Sequence, residues 1–249
     1  MKNIIDGSFS FITRFIGQTK PMIDTLLLDQ EDSQSVDEED DDVPKNELMK
    51  AKFSNLLTKI LAMDCEMVGV GPDGKDSIVA RVSIINFYGD CVYDKYVKPT
   101  KKVTDYRTEI SGIRPGDIKH GEDFRAVRRE VCEILRDRIL VGHSIMVDLK
   151  ALCLYHPKRS RRDTAVFKPL TEAFGGRETP SLKTLALKFL KVTIQDGEHS
   201  SVQDAQAAMA LYIMFRNVWE KHLIEEALKP ENDDENSDCP RFAVCTLQH

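Results

Sequence analysis

The run Ile60-Leu61-Ala62-Met63-Asp64-Cys65-Glu66-Met67-Val68 constrains this chain more than any other, because it sets two carboxylates inside an otherwise apolar strand. Strand side chains alternate between faces, so Asp64 and Glu66 point one way and Met63, Cys65 and Met67 the other. The run is too apolar for an edge loop, which leaves two acids close to a core with no cation between them. That arrangement is costly unless a positive ion sits between the carboxylates, and a hard divalent ion such as magnesium prefers carboxylate oxygens.

The rest of the pattern builds an α/β domain around that strand. Residues 69–76 read as a turn, and 78–87 and 92–97 as two further strands joined by Tyr88-Gly89-Asp90. So tight a connection predicts an antiparallel hairpin, and hence a mixed sheet. Helical spacing of Val127, Val131, Ile134 and Leu135 predicts a helix over 124–138. Ile139-Leu140-Val141 reads as a short buried strand followed by a helix reaching Tyr155, Arg162-Asp163-Thr164 as another strand end, and 181–190 and 202–223 as helices. Strands first in a hairpin and then alternating with helices give an α/β sandwich, expected to hold a mixed five-stranded sheet over 55–225. Residues 1–50 read as an acidic extension with short amphipathic helices within 8–28 and an unstructured linker over 29–42, and 226–249 as an unstructured acidic tail.

Charge is distributed unevenly. Residues 1–50 carry 5 basic against 12 acidic residues and 225–249 carry 2 against 7, which leaves 28 against 22 between them. A basic middle that also holds clustered acids points to a polyanion held near metal-binding carboxylates. The six cysteines form no C-x-x-C pair and no regular spacing, so neither a zinc module nor a disulfide framework is indicated, and a reducing intracellular compartment is expected. No cleavable leader is read at the N-terminus, and no apolar run approaches the roughly 18 residues of a membrane span.

Two later stretches supply acids of the same kind. Gly142-His143-Ser144-Ile145-Met146-Val147-Asp148 follows the short strand, so Asp148 falls in the first turns of a helix opening at the sheet edge, where open α/β sheets place their ligands. In His199-Ser200-Ser201-Val202-Gln203-Asp204-Ala205 a serine can cap the last helix, with Asp204 about one turn in and His199 on the loop before it. Four carboxylates on elements that open at one edge form an oxygen-rich pocket for two divalent ions, the arrangement that clamps both oxygens of a phosphoryl displacement.

Asp64-x-Glu66, Asp148 and His199-x(4)-Asp204, in that order, resemble the DEDDh 3′-to-5′ exonucleases of the ribonuclease-H-like fold. The surrounding words resemble the branch that holds RNA exonuclease 4 and the interferon-stimulated exonucleases: Met63-Asp64-Cys65-Glu66-Met67-Val68-Gly69, Val103-Thr104-Asp105-Tyr106-Arg107-Thr108, Ser111-Gly112-Ile113, Gly142-His143 and Arg162-Asp163-Thr164. The resemblance runs from about 60 to 222.

It implies a metal-dependent 3′-to-5′ exoribonuclease that uses two divalent ions, magnesium or manganese, on single-stranded RNA, in processing of ribosomal or other RNA within the nucleus. Asp64 would bridge both ions, Glu66 and Asp204 complete one site, Asp148 hold the second, and His199 take a proton from the attacking water. Met63, Cys65, Met67, Val68, Arg107, His143 and Arg162 would contact the substrate. The same chemistry on DNA, a catalytically silent nucleic-acid scaffold and an acidic-tailed interaction module stay open as alternatives, and the sequence names no protein partner. Two departures stand out: Val147 replaces the Asn common beside the second-motif acid, and the N-terminus is acidic where nuclear relatives carry basic extensions. Lys158-Arg159-Ser160-Arg161-Arg162 reads as a phosphate-contacting loop, a nuclear localisation signal or a solvated loop.

Overall fold

The computed structural model of this chain describes residues 57–176 and 178–228, so the helices read within 8–28, the acidic linker and the tail from 229 lie outside the described residues, while 226 and 227, read as the start of the unstructured tail, continue the last helix. Strand β1, Ile60–Val70, is buried along most of its length because it is central: it pairs antiparallel with β2, Asp76–Asn86, and parallel with β5, Ile139–Gly142. Gly69 at the end of β1 is fixed by close approach, since a Cβ there would lie 2.3 Å from the Gly74 carbonyl oxygen across the turn. β2 turns back into β3, Cys91–Tyr96, through the expected hairpin. The buried Asn86 closes that turn, its Oδ1 accepting from the Tyr88 and Asp90 amides at 2.9 and 3.0 Å.

The sheet has the order β3-β2-β1-β5-β6, with β6 at Arg161–Asp163, and a sixth strand, β4 at Val103–Asp105, pairs with the far end of β1. Five strands are those expected. The sixth is three residues long, too short for any alternation to show in sequence.

Between β4 and β5 lie α1, Thr108–Ser111, α2, Pro115–Lys119, and α3, Phe124–Leu135. Asp123 caps α3 by accepting from the Arg125 and Ala126 amides, and Val127, Val131 and Leu135 form its buried stripe. The helix stops at Leu135, short of the expected 138, and Arg138 folds back to donate to the Ile134 carbonyl at 2.7 Å. α4, Ile145–Ala151, is likewise shorter than the reading to Tyr155. Cys153 adopts φ 52, its amide bonds Lys150 O at 3.1 Å and the Leu154 amide bonds Leu149 O at 2.8 Å, a left-handed stop that normally takes glycine.

After β6 come α5, Lys168–Glu172, and α6, Leu182–Leu185, which runs on as a π-helical turn, Ala186–Leu190. The last helix, α7, spans Ser201–Ala227. The compact unit ends within it at Met214; from Phe215 the described part of the second unit is helix alone, with an ion pair between Lys221 and Glu225 at 3.9 Å. No helix among the described residues is long and apolar enough to cross a membrane.

The core has two layers. Met63, Cys65, Val82 and Ile84 pack with Val131 of α3 and Leu149 of α4 on one face, while Val68 and Ala80 pack with Ile113 and Ile118 on the other. α7 reaches the sheet through hydrogen bonds: Ser201 Oγ lies 2.6 Å from Ser83 Oγ, and Gln206 Nε2 donates to Gly89 O at 2.8 Å. Helices α4 and α7 thus both begin near β1.

Candidate active site

Asp64 and Glu66 project from β1 on the face away from Met63 and Cys65, opposite Ser83 and Arg81 of β2. A register shift falls between Glu66 and Met67, which pair with Arg81 and Val79, so the extra residue of the bulge is Ala80 on β2, beside the acid pair. Asp204 enters from the first turn of α7, its amide donating to Ser200 O at 2.9 Å as the expected serine-led helix start requires. Asp64, Glu66 and Asp204 each offer a carboxylate oxygen, and the three oxygens lie within 4.8 Å of one another. Asp148, in the first turn of α4, stands outside that triad, yet its charge acts on Asp64 more strongly than that of either triad partner.

Burial and mutual repulsion raise the acids. Asp64 is held well above the usual carboxylate range by burial and then by Asp148, Asp204 and Glu66. Glu66 is pushed up to about 8 by burial and by Asp204, with Arg81 and the Ser201 amide pulling the other way. Asp204 is raised to about 6 by burial, against a hydrogen bond from Gln195 Nε2 to its Oδ2 at 2.8 Å. Asp148 is raised by burial, then by Asp163 and Glu66.

Glu66 Oε1 and Asp204 Oδ1 are buried with no hydrogen-bond partner. Unpartnered buried carboxylate oxygens on converging acids are destabilising as they stand and are what a hard cation satisfies. The donor set is all oxygen, so it fits a divalent ion of the magnesium class.

His199 sits on the loop entering α7 with its Nδ1 3.8 Å from Asp204 Oδ2 and about a quarter of its side chain exposed. Three contacts fix that loop. The His199 amide donates to Ile110 O at 2.7 Å, Arg114 forks onto Glu198 at 2.5 and 2.9 Å, and Gly112 (φ 66) lies so close that a Cβ would be 3.2 Å from His199 O. Burial first, and Lys183 second, lower the imidazole below its ordinary 6.5, so the ring is neutral at neutral pH.

The structure corrects most of the substrate contacts expected from sequence. Met63, Cys65 and Val68 are core side chains at 1%, 9% and 0% exposure, because β1 is covered on both faces, so Cys65 has only its backbone to offer a substrate; Met67, opposite Val79 next to the β2 bulge, lines a cavity. Arg162 is buried at 4%, with its Nη1 donating to the carbonyls of Arg159 and Arg161, so it shapes a loop. His143 is half-buried with Nδ1 2.9 Å from Thr164 Oγ1, and Thr164 in turn donates to Gly142 O. Arg107 binds Ser77 Oγ and Gly74 O and ties down the β1–β2 turn; it bonds to none of the site's carboxylates.

Residues without an expected role do build the site. Asp163 accepts from the Ser144, Ile145 and Ala165 amides at 2.8, 2.9 and 3.0 Å, pinning the start of α4 to the end of β6 and so placing Asp148. Gly142-His143 and Arg162-Asp163-Thr164 are therefore the two halves of one joint. Gln195 orients Asp204, and Lys183 holds Gln195 through its carbonyl at 2.9 Å. Asp163 was visible in a motif but carried no positional signal; Gln195, nine residues before Asp204 on an irregular loop, carried none.

A cavity of about 780 Å³, a trough, is lined by the apolar Met67, Phe124, Met146 and Val147 and by Lys75, Lys98, Lys101 and Lys150. Met67 and Val147 are chain neighbours of Glu66 and Asp148, but none of the four acids lines this cavity, and Met67 belongs to the Met63 and Cys65 face of β1. Met146 and Val147 are more than half exposed there.

Residues 61–212 match the family described as Exonuclease. The chain is 60% identical over 174 residues to RNA exonuclease 4 of Xenopus laevis, covering 70% of this chain and 41% of that protein. To the human protein of that name it is 56% identical over 174 residues, covering 70% and 41%, and to that of Saccharomyces cerevisiae 48% over 168 residues, covering 68% and 58%. The chain thus spans about two fifths of the vertebrate relatives. Among solved structures it is similar to the Pan2 catalytic unit of Neurospora crassa, with TM-score 0.56 and 25% identity over 70% of this chain and 30% of that one. It is also similar to the S. cerevisiae Pan2 pseudoubiquitin hydrolase and RNA exonuclease module in complex with AAGGAA RNA, with TM-score 0.58 and 30% identity over 68% and 30%.

Proposed function

Because this chain belongs to the Exonuclease family, we propose that it is a metal-dependent exoribonuclease that removes mononucleotides from the 3′ end of single-stranded RNA. One observation carries the reading: three carboxylates converge within 4.8 Å, two of their buried oxygens lack any partner, and a neutral imidazole stands beside them. The relatives named RNA exonuclease 4, and the Pan2 module in complex with RNA, support RNA as substrate.

Asp64, Glu66 and Asp204 would hold one divalent ion, magnesium or manganese, and Asp64 with Asp148 a second. Bound there, such ions supply Lewis-acid stabilisation of the phosphate and a more acidic water. The chain's own residues do the rest. His199 turns its Nδ1 edge toward the acid cluster, where it takes the proton of the attacking water as the oxygen closes on phosphorus. The bond from phosphorus to the 3′ oxygen of the preceding nucleotide breaks, the terminal nucleotide leaves as a 5′ monophosphate carrying the water oxygen, and the freed 3′ oxygen takes a proton from solvent to become the new 3′ hydroxyl of the shortened strand. Gln195 and Asp163 keep Asp204 and Asp148 turned to the site, and the lysines around the trough neutralise the strand's phosphates.

The test is a 5′-labelled RNA oligomer, and a DNA oligomer of the same sequence, incubated with pure protein in magnesium, manganese or EDTA. A ladder shortened from the 3′ end on RNA with metal supports the reading. Internal cuts, equal action on DNA or full activity in EDTA would each overturn part of it.

A further inference from the structure

Resting on that exoribonuclease reading, we propose that a second hollow, at the opposite edge of the sheet from the catalytic acids, binds the RNA upstream of its cleaved end. Arg136 and Arg159 contact its phosphates and Tyr155 stacks on a base. Asp64 and Glu66 lie on β1 past its pairing with β5, and Asp148 lies beyond the C-terminal end of β5, whereas this hollow of about 270 Å³ is formed by the loops that lead into β5 and β6. Asp137 is the one acid on its wall.

Two observations mark it as a built site and not a solvated edge. Its backbone is held firmly: the buried His156 lies with Nε2 3.0 Å from Arg138 O, Arg138 is fastened to Ile134 O, and Arg162 grips the Arg159 carbonyl at 2.8 Å. The groups on that frame are unused: the side chains of Arg136 and Arg159 make no hydrogen bond or ion pair with described residues, and Tyr155 is 74% exposed. Two unpaired guanidinium forks flanking an exposed aromatic ring match a single strand, whose phosphates take bidentate Arg and whose bases offer a face to stack on.

The position fits a strand that ends in the catalytic site. Consecutive residues just past the C-terminal end of α4 line the two, Cys153 the trough and Leu154 and Tyr155 the hollow. α4 is seven residues, roughly 10 Å, a span that about three stacked nucleotides cross. Contacts in the hollow therefore fall about four to six nucleotides upstream of the 3′ end. An acidic peptide would use the arginines but leaves the exposed tyrosine without a role.

The experiment measures binding by anisotropy of the full chain in EDTA, so that nothing is degraded, with 5′-fluorescein oligoribonucleotides of about 3 and about 12 nucleotides. The wild type should bind the longer one much more tightly. Arg136→Gln with Arg159→Gln should weaken the longer one about tenfold or more, leave the shorter unchanged, and lower the salt slope by about 1.4, at roughly 0.7 per phosphate contact on a single strand. Tyr155→Ala should weaken the longer one without altering the slope, as lost stacking does. Unchanged affinity for both lengths in the variants overturns the proposal. So does displacement of the long RNA by a polyglutamate peptide as readily as by unlabelled RNA, which would make the hollow a peptide site. A protein that shows the length effect but degrades no RNA in magnesium refutes the catalytic reading and keeps this one.

Discussion

Glu66→Gln should abolish turnover and yet stabilise the metal-free fold. In the free protein, burial and the Asp204 charge lift the Glu66 carboxyl from 4.5 to about 8. A folded-state value above the unfolded one makes the contribution to stability unfavourable: it is absent below the unfolded value, grows as pH rises, and is complete above the folded value. At 1.36 kcal/mol per unit, the span from 4.5 to a pH of ~7.5 is about 4 kcal/mol. The glutamine amide remains a buried polar group, so about half of that should be recovered. For a domain of this size, about 2 kcal/mol raises Tm by roughly 4 to 8 °C. Thermal melts by circular dichroism in EDTA, from pH ~4.5 to ~8.5, should show the variant and wild type together at the acid end and separating steadily toward the alkaline end. Magnesium should close or reverse the gap, because an ion bound to the folded state stabilises the wild type by about 2.7 kcal/mol at a hundredfold excess over Kd. A variant that melts below the wild type in EDTA at alkaline pH, or a gap that widens as pH falls, would refute the account of the acids as a repelling cluster awaiting a cation.

His199→Ala should lower kcat by about 10²- to 10⁴-fold with metal affinity kept, and the acid limb of the pH profile, which lies below the ordinary imidazole value, should vanish; rescue by raised magnesium would instead make the ring a ligand. Asp163→Ala removes the acceptor for three amides and should destabilise by about 1 to 3 kcal/mol while cutting kcat, with Asn restoring part of both; melting and turnover like wild type would show that α4 does not need this anchor. Gly112→Ala meets strain at φ 66 and the His199 carbonyl at 3.2 Å, so kcat should drop by about tenfold, the effect of roughly 1.4 kcal/mol, at unchanged KM for RNA; a rise in KM alone would place the effect in binding.

The convergence of Asp64, Glu66 and Asp204 was legible in part because two of the signals are local. A period-2 placement in an apolar run gives Asp64 and Glu66 one face, and a serine before a helix gives Asp204 its turn, whereas the roles of the five side chains, that of His199 above all, came from the family resemblance. The substrate contacts were not legible, because exposure depends on what covers a strand. Met63 and Val68 sit in the same motif as Met67, yet the neighbouring layers bury the first two, while Met67, next to the bulge on β2, is only partly covered. Arg162 and His143 failed for a related reason: a polar side chain in a motif either meets the substrate or holds the motif together, and only tertiary partners decide which. Helix ends were misplaced where an arginine or a left-handed cysteine stops the helix in the role usually taken by glycine. The short β4 and α1 fell below the length at which periodicity exists.

The acids come from β1, α4 and α7, elements separated by up to 140 residues and brought together only by the β1–β5 pairing and by two helices starting near the same strand. No short segment holds more than two of them, so the unfolded chain has no comparable site, and an ion that binds this cluster reports on folding as much as on catalysis. The framework must then be rigid enough to keep four raised carboxyls together before any ion arrives. The structure meets that demand with contacts outside the acids: Asp163 on three amides, Ser201 on Ser83, and the Ile110 carbonyl on the His199 amide. Each lies on an element that carries one catalytic side chain, so loosening any of them should weaken metal binding and turnover together, whereas removing an acid separates stability from activity.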